Sequence, residues 1–263
     1  MLASSLKKKL AGGSNAIGIM MTFDFWPGYL EAFQKMGLDL VMIDCEHGAA
    51  TLREVEELCR TARLAGIAAL LRPEAADFPL IRRYADMGPA GFIIPWVETI
   101  EQLEVVRDAV FQPPRGRRGW GGPVIQAATG VDRPGIDAYE KSLMVIAQIE
   151  TPLGVERCDK IASCEWVDAL MMGPYDLSVN LGTVPDVNSE KQKVATRRVL
   201  EACRKAGKPC GTVSADPAIV RAWFKEGMQF ALCGEVSFFV QSGLKSAIEA
   251  IRGPAGEGGI RIA

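Results

Sequence analysis

Short runs of apolar residues alternate along the chain with longer stretches in which apolar positions recur at helical spacing. Strands are predicted over 16–23, 38–44, 67–72, 91–96, 144–150, 168–173, 208–214 and 229–234. Helices are predicted over 28–36, 52–65, 78–87, 100–111, 152–163, 189–206, 218–226 and 238–252. Several of these helices stop at a glycine, as at Gly66 and Gly207, where a left-handed residue releases the chain into the next strand. Runs such as Val41-Met42-Ile43 and Phe92-Ile93-Ile94 are apolar at consecutive positions, the signature of parallel strands covered on both faces. An open doubly wound sheet satisfies that too. Eight βα units with no GxGxxG turn and no break in composition instead predict an α/β fold closed into a (β/α)8 TIM barrel. We expect a single domain over 1–263, with the barrel core at about 16–252.

One connection breaks the rhythm. Residues 112–141 carry Pro113-Pro114, Gly116, Gly119, Gly121-Gly122 and four arginines, too long a stretch for an ordinary turn. Trp120, Val124, Ile125 and Ile136 argue that it packs instead of being disordered, and it is expected to act as a functional cover or subunit contact that bears on substrate selectivity.

Composition narrows the classes. With 48% hydrophobic and 24% charged residues the chain can fill a large core, and a net charge of -2 gives no basic field for nucleic acid or an anionic membrane. Lys7-Lys8-Lys9 reads as the solvated side of a first helix. No stretch approaches the ~20 apolar residues of a membrane span. Seven cysteines, none in C-x-x-C spacing, with a single histidine, argue against structural zinc and against a disulfide framework. A cytoplasmic protein with reduced thiols is expected.

In such a barrel the chemistry sits at the C-terminal ends of the strands. Asp44 closes the second strand, with Glu46 and His47 just beyond; Arg72 closes the third, Glu150 the fifth, and Gly173-Pro174-Tyr175-Asp176 follows the sixth. His47, the only imidazole, is a candidate general base. Glu150 and Asp176 suit a hard divalent cation such as Mg²⁺ or Mn²⁺, although the same residues serve equally as helix N-terminal caps. The amides after Pro174 suit a small anion such as a substrate carboxylate, or simply a tight turn. Arg72 can hold a carbonyl or enolate oxygen, or pair with Glu74 or another rim acid. No lysine falls at a strand's C-terminal end, so Schiff-base chemistry lacks a nucleophile. No G-x-S-x-G elbow or G-x-x-x-x-G-K-[ST] loop is present either.

Asp44-Cys45-Glu46-His47-Gly48, Leu71-Arg72-Pro73, Ile94-Pro95-Trp96-Val97-Glu98-Thr99, Arg118-Gly119, Gln148-Ile149-Glu150-Thr151 and Gly173-Pro174-Tyr175-Asp176-Leu177-Ser178 resemble, in order, the signatures of the HpcH/HpaI aldolase family. The resemblance covers about 16–252. It implies a metal-dependent class II pyruvate aldolase on a (β/α)8 barrel of the phosphoenolpyruvate/pyruvate superfamily. Glu150 and Asp176 would ligate the divalent ion (Mg²⁺ or Mn²⁺, with Co²⁺ or Zn²⁺ as further candidates). His47 with Asp44 would form the base dyad, and Arg72 would bind the pyruvate oxygen. Gly173, Pro174, Tyr175 and Trp96 would contact the small-molecule substrate, a 2-oxo acid with its aldehyde partner. A homo-oligomer is implied, hexamer or trimer, with the last helix, over 238–252, exchanged between subunits.

The chain departs from many members at Trp96, where methionine is common, at Tyr175, where a small residue is common, and at Cys45 and Glu235, where glycine and aspartate are frequent. Trp96 and Tyr175 resemble a branch with macrophomate-synthase-like members. Oxaloacetate decarboxylation and acyl-CoA lyase chemistry, the latter using the Arg115-Gly116-Arg117-Arg118 stretch, therefore stand beside aldol cleavage, and a non-catalytic barrel is the alternative of another class.

Overall fold

In the computed structural model, which describes residues 2–253 apart from Val131, eight parallel strands close into a barrel in sequence order. They are β1 (Ala16–Met21), β2 (Leu40–Asp44), β3 (Ala68–Arg72), β4 (Gly91–Ile94), β5 (Met144–Ile149), β6 (Ala169–Met172), β7 (Cys210–Val213) and β8 (Phe230–Glu235). β8 returns to β1 through pairs such as Ala16↔Phe230. The helices are α1 (Leu2–Ala11), α2 (Gly28–Lys35), α3 (Leu52–Ala65), α4 (Phe78–Ala85), α5 (Ile100–Val110), α6 (Pro123–Thr129) and α7 (Arg133–Ser142), followed by α8 (Pro152–Glu156), α9 (Cys158–Ser163), α10 (Pro174–Asn180), α11 (Glu190–Ala206), α12 (Pro217–Lys225) and α13 (Val236–Arg252). The expected barrel is what the chain forms. The outer parts of the expected single-domain range, Met1 and 254–263, lie outside the described residues.

Two apolar layers follow from the two-residue period of a strand. Val41, Ile43, Val145, Ala147 and Ile149 face the helices and join the outer core. Leu40, Met42, Leu70, Met144, Ile146 and Met171 face inward and fill the barrel with side chains instead of a pore. Continuing that inward parity two residues further puts Asp44, Arg72, Gln148, Glu150 and Gly173 at the C-terminal mouth. The strands therefore aim the polar residues at one another because the same pattern buries the methionines and leucines beneath them.

α1 closes the opposite end. Ala3, Leu6 and Leu10 join the interior cluster. The lysines are not merely solvated: Lys7 Nζ lies 2.8 Å from Asp168 and Lys9 Nζ 2.6 Å from Asp39. Both acids also accept strand amides, Asp39 from Ile17 at 2.9 Å and Asp168 from Val145 at 2.9 Å.

The stretch 112–141 holds α6 and most of α7. It joins the end of α5 to the start of β5, and helix-to-strand connections lie at the N-terminal face, away from the mouth. It is packed: Tyr139 Oη donates to Pro89 O (2.7 Å), and Gln112 N donates to Glu140 (2.7 Å). Within one chain it does not cover that chain's own mouth, contrary to the selectivity role expected from its length. α13 is unlike the other helices. Beyond Val236 and the half-buried Ser237, every side chain from Phe238 to Arg252 is exposed.

Candidate active site

Asp44 is wholly buried and saturated with donors. Arg72 grips it with both arms of its guanidinium, Nε to Oδ1 at 2.9 Å and Nη2 to Oδ2 at 2.6 Å. Thr22 Oγ1 donates to Oδ2 (3.0 Å), while the amides of Glu46 (3.0 Å) and His47 (3.4 Å) donate to Oδ1. Burial pushes the Asp44 carboxyl up, but Arg72 and Thr22 outweigh it and hold the group below the usual carboxylate range.

The expected pairing of Asp44 with the His47 imidazole is therefore not the one the structure shows. Asp44 meets only the main chain of His47, because the strand end turns its side chain into the barrel while the imidazole, 52% exposed, stands out at the rim. The acid beside the ring is Glu46, whose Oε2 lies 3.8 Å from His47 Nε2 and 3.2 Å from Arg72 Nε. Glu46 Oε1 accepts the indole N–H of Trp96 at 2.9 Å, and its Oε2 is buried without a hydrogen-bond partner. Burial pushes the Glu46 carboxyl up against the pull of Arg72 and His47.

Trp96 carries a left-handed backbone, φ 52°, the one positive φ outside glycine among the described residues. Such a conformation costs on the order of 1–3 kcal/mol and persists only where the surroundings enforce it. Here it aims two donors at two acids: the indole at Glu46, and the main-chain N–H at Glu150 Oε1, 2.7 Å away. Gln102, which completes the capping box of α5 with the N-cap Thr99, donates to the Trp96 carbonyl at 3.1 Å.

Glu150 is buried at the end of β5, with Gln148 Nε2 donating to its Oε2 at 2.5 Å. Burial pushes its carboxyl up to about 7 despite those donors, and the carboxylates of Glu46 and Asp176 push the same way. Asp176 lies in the first turn of α10, half-buried, and Asn180 Nδ2 bridges the main-chain oxygens of Asp176 and Glu150, 3.0 Å each. A side chain at Gly173 would displace the two polar groups that face it. A Cβ there would stand 2.3 Å from Glu150 Oε2 and 2.8 Å from Gln148 Nε2. Buried Gln192 donates to Pro174 O at 2.9 Å and so pins the same turn from α11. Tyr175 is 54% exposed at the rim.

The donor set fits a hard divalent cation. Glu150 is a buried acid in excess of local positive charge, with Asp176 beside it, and no group of three or more His, Cys, Asp or Glu in metal-holding geometry occurs among the described residues. Two carboxylates leave the remaining positions to water and a chelating substrate. Thr22 and Gln192 were not named from sequence, and Glu46 and Gln148 were named there as parts of the strand-end motifs without a role of their own. Strand parity was the available signal for Thr22 and Gln148, since each is two residues from an inward position. Nothing in the sequence pointed to Gln192.

The mouth of this (β/α)8 barrel gathers four carboxylates, a guanidinium and an imidazole, an arrangement of the kind found in barrel enzymes. A family model described as HpcH/HpaI aldolase/citrate lyase matches residues 25–240, and the chain belongs to that family. It is 31% identical over 234 residues to a hydroxypyruvate/pyruvate aldolase of Deinococcus radiodurans, covering 89% of this chain and 84% of the relative. It is likewise 31% identical over 255 residues to a 2-keto-3-deoxy-L-rhamnonate aldolase of Salmonella typhimurium, covering 94% and 93%. The crystal structure of an HpcH/HpaI aldolase from Desulfitobacterium hafniense superposes with a TM-score of 0.88 at 30% identity, covering 95% of this chain and 98% of that one. The chain is a carbon–carbon lyase of a class II aldolase family, whose members generally depend on a divalent metal ion. No helix among the described residues is long and apolar enough to cross a membrane.

Proposed function

We propose that this single-domain, cytoplasmic protein reversibly cleaves a 4-hydroxy-2-oxo acid into pyruvate and an aldehyde, with Glu150 and Asp176 holding Mg²⁺ or Mn²⁺. The observation that carries the reading is the gathering of Glu150 and Arg72, both buried, with half-buried Asp176 and the exposed His47 at one barrel mouth. The bound ion supplies Lewis-acid stabilisation of negative charge developing on the 2-oxo oxygen.

His47 takes the proton of the 4-hydroxyl group. As that oxygen becomes the aldehyde carbonyl, the C3–C4 bond breaks and its electron pair moves into the pyruvate enolate, which is then protonated at C3. The exposed imidazole suits this task, since it can reach a substrate entering from solvent. Arg72 offers a fixed positive charge to the enolate oxygen, and Asp44 is a positioning residue that holds the guanidinium in place. No side chain caps the first turn of α10, so the amides beyond Gly173 and Pro174 are available to the substrate carboxylate. Trp96 and Tyr175 form the rim around it.

The test is exchange of the pyruvate methyl protons in D₂O together with aldol cleavage, each with Mn²⁺ and after EDTA. Both should vanish on chelation and return with the ion. Glu150→Gln should abolish Mn²⁺ binding followed by electron paramagnetic resonance, and His47→Ala should lower cleavage by about 100-fold or more. Activity that survives complete stripping of metal overturns the proposal.

A further inference from the structure

Trp96, the second residue after β4, has a φ of 52°, a conformation that glycine and asparagine accept readily and a bulky side chain does not. The chain adopts it here with its largest type of side chain, so the surroundings must hold it. Three hydrogen bonds do so. The indole N–H donates to Glu46 Oε1 (2.9 Å), the carbonyl accepts from Gln102 Nε2 (3.1 Å), and the main-chain N–H donates to Glu150 Oε1 (2.7 Å). Gln102 is fixed in turn, because its Oε1 accepts the amides of Glu98 (2.8 Å) and Thr99 (3.0 Å). The next amide, that of Val97, donates to Gln148 O at 3.2 Å and ties the turn to β5. All of these bonds lie within one chain, so assembly does not create them.

The two oxygens of the Glu150 carboxylate are thus held from different elements. Gln148 Nε2, on β5 itself, donates to Oε2 at 2.5 Å, and the turn after β4 supplies the donor to Oε1. A carboxylate oxygen that accepts one hydrogen bond keeps a further lone pair for another partner. The Gln148 donor follows from strand parity, since it lies two residues before Glu150. The Trp96 donor does not follow from any side chain: it exists because residue 96 is left-handed. Returning φ to the ordinary negative range between Pro95 and Val97 would turn the flanking peptide planes and carry the N–H away from Glu150. Groups that hydrogen-bond a ligating carboxylate set its orientation, and losing one commonly costs about 10- to 100-fold in metal affinity.

We infer that Trp96 is a positioning residue for the metal-binding carboxylate, acting through its main-chain N–H, with the indole on Glu46 as the latch that keeps the left-handed turn closed. The inference rests on the assignment of Glu150 to the metal made above. It adds that metal affinity depends on the backbone conformation at position 96 and not on the bulk of the side chain there.

The test is Mn²⁺ affinity, followed by electron paramagnetic resonance, in Trp96→Gly, Trp96→Asn, Trp96→Ala and Trp96→Val. Glycine and asparagine accept the left-handed region without the latch, so both variants should bind within about threefold of the wild type. Valine is close to asparagine in size but is β-branched and strained there, and Trp96→Val should bind about tenfold more weakly or worse. Trp96→Ala should fall between. A side chain that only walls the rim would give the opposite order, with glycine the most damaging. Far-ultraviolet dichroism checks each fold, and if Trp96→Val does not fold, Trp96→Ala against Trp96→Gly decides. Folded Trp96→Gly that binds no better than the alanine or valine variant overturns the inference, as does Trp96→Val with wild-type affinity. Wild-type protein that fails to bind Mn²⁺, or Glu150→Gln that still binds it, overturns instead the metal assignment on which the inference rests.

Discussion

At the scale of single residues, the site is organised around charge that is taken out of water and compensated there. Asp44→Asn keeps the shape of the side chain but removes the charge facing a guanidinium that is itself buried. Leaving such a group half-paired costs a few kcal/mol, and since Glu46 remains 3.2 Å from Arg72, a loss of roughly 3 kcal/mol at neutral pH is expected. The sign of its pH dependence follows from linkage. Arg72 holds the folded Asp44 carboxyl below its ordinary value of 3.8, so its contribution is complete above that pH and is lost as pH falls through the folded value. Urea midpoints of the two proteins should therefore differ fully at neutral pH and converge in acid. A gap that persists unchanged in acid would show that shape, not charge, is what the substitution removed. This role was only half legible in the sequence. Asp44 and Arg72 announced themselves as polar ends of apolar runs, whereas the Asp44–His47 dyad came from the family resemblance, and the structure sets Glu46 beside the imidazole instead, because a strand end sends neighbouring side chains to different sides.

At the scale of elements, α1 is the part whose work is purely structural. Leu6 is buried in the inner apolar cluster that also holds Met42 and Ile146, at the end remote from Glu150. Leu6→Ala should cost about 2–4 kcal/mol through lost burial and the cavity left behind. Metal-dependent proton exchange at a permissive temperature should stay within a factor of about two, since a change of 1.4 kcal/mol at the site would already be tenfold. Denaturation and exchange measured side by side check both halves; a large drop in exchange with the fold intact would mean that the plug communicates with the mouth. The periodicity located all eight strands to within a few residues, since each needs apolar side chains on both faces. It did not show that α1 fills the barrel, because Leu2, Leu6 and Leu10 look the same whether a helix lies on an outer surface or under an open end. The face on which 112–141 lies could have been read from order alone, as the segment follows a helix and precedes a strand.

At the scale of the whole molecule, α13 is the element that one chain leaves unfinished. Val240, Leu244, Ile248 and Ile251 recur at three- and four-residue spacing along it and all are exposed, next to Phe238 and Phe239. A stripe of this size is larger than a lone soluble chain usually presents to water. The family resemblance assigns it a partner in other copies of the same chain, and we propose that exchange as its role here. Light scattering after size exclusion should then give a mass well above 28.4 kDa. Leu244→Glu combined with Ile248→Glu should shift the protein to smaller species. The barrel should survive that dissociation, because the first turn of α13 is fixed independently of its far turns: Glu235 accepts the amides of Ser237 (2.7 Å) and Thr22 (3.4 Å), and the Thr22 hydroxyl continues to Asp44 (3.0 Å). Unchanged far-ultraviolet dichroism and retained Mn²⁺ binding in the smaller species would separate loss of assembly from loss of fold. A wild-type protein that runs as a monomer at micromolar concentration would end the proposal, and the exposed stripe would then need a different occupant.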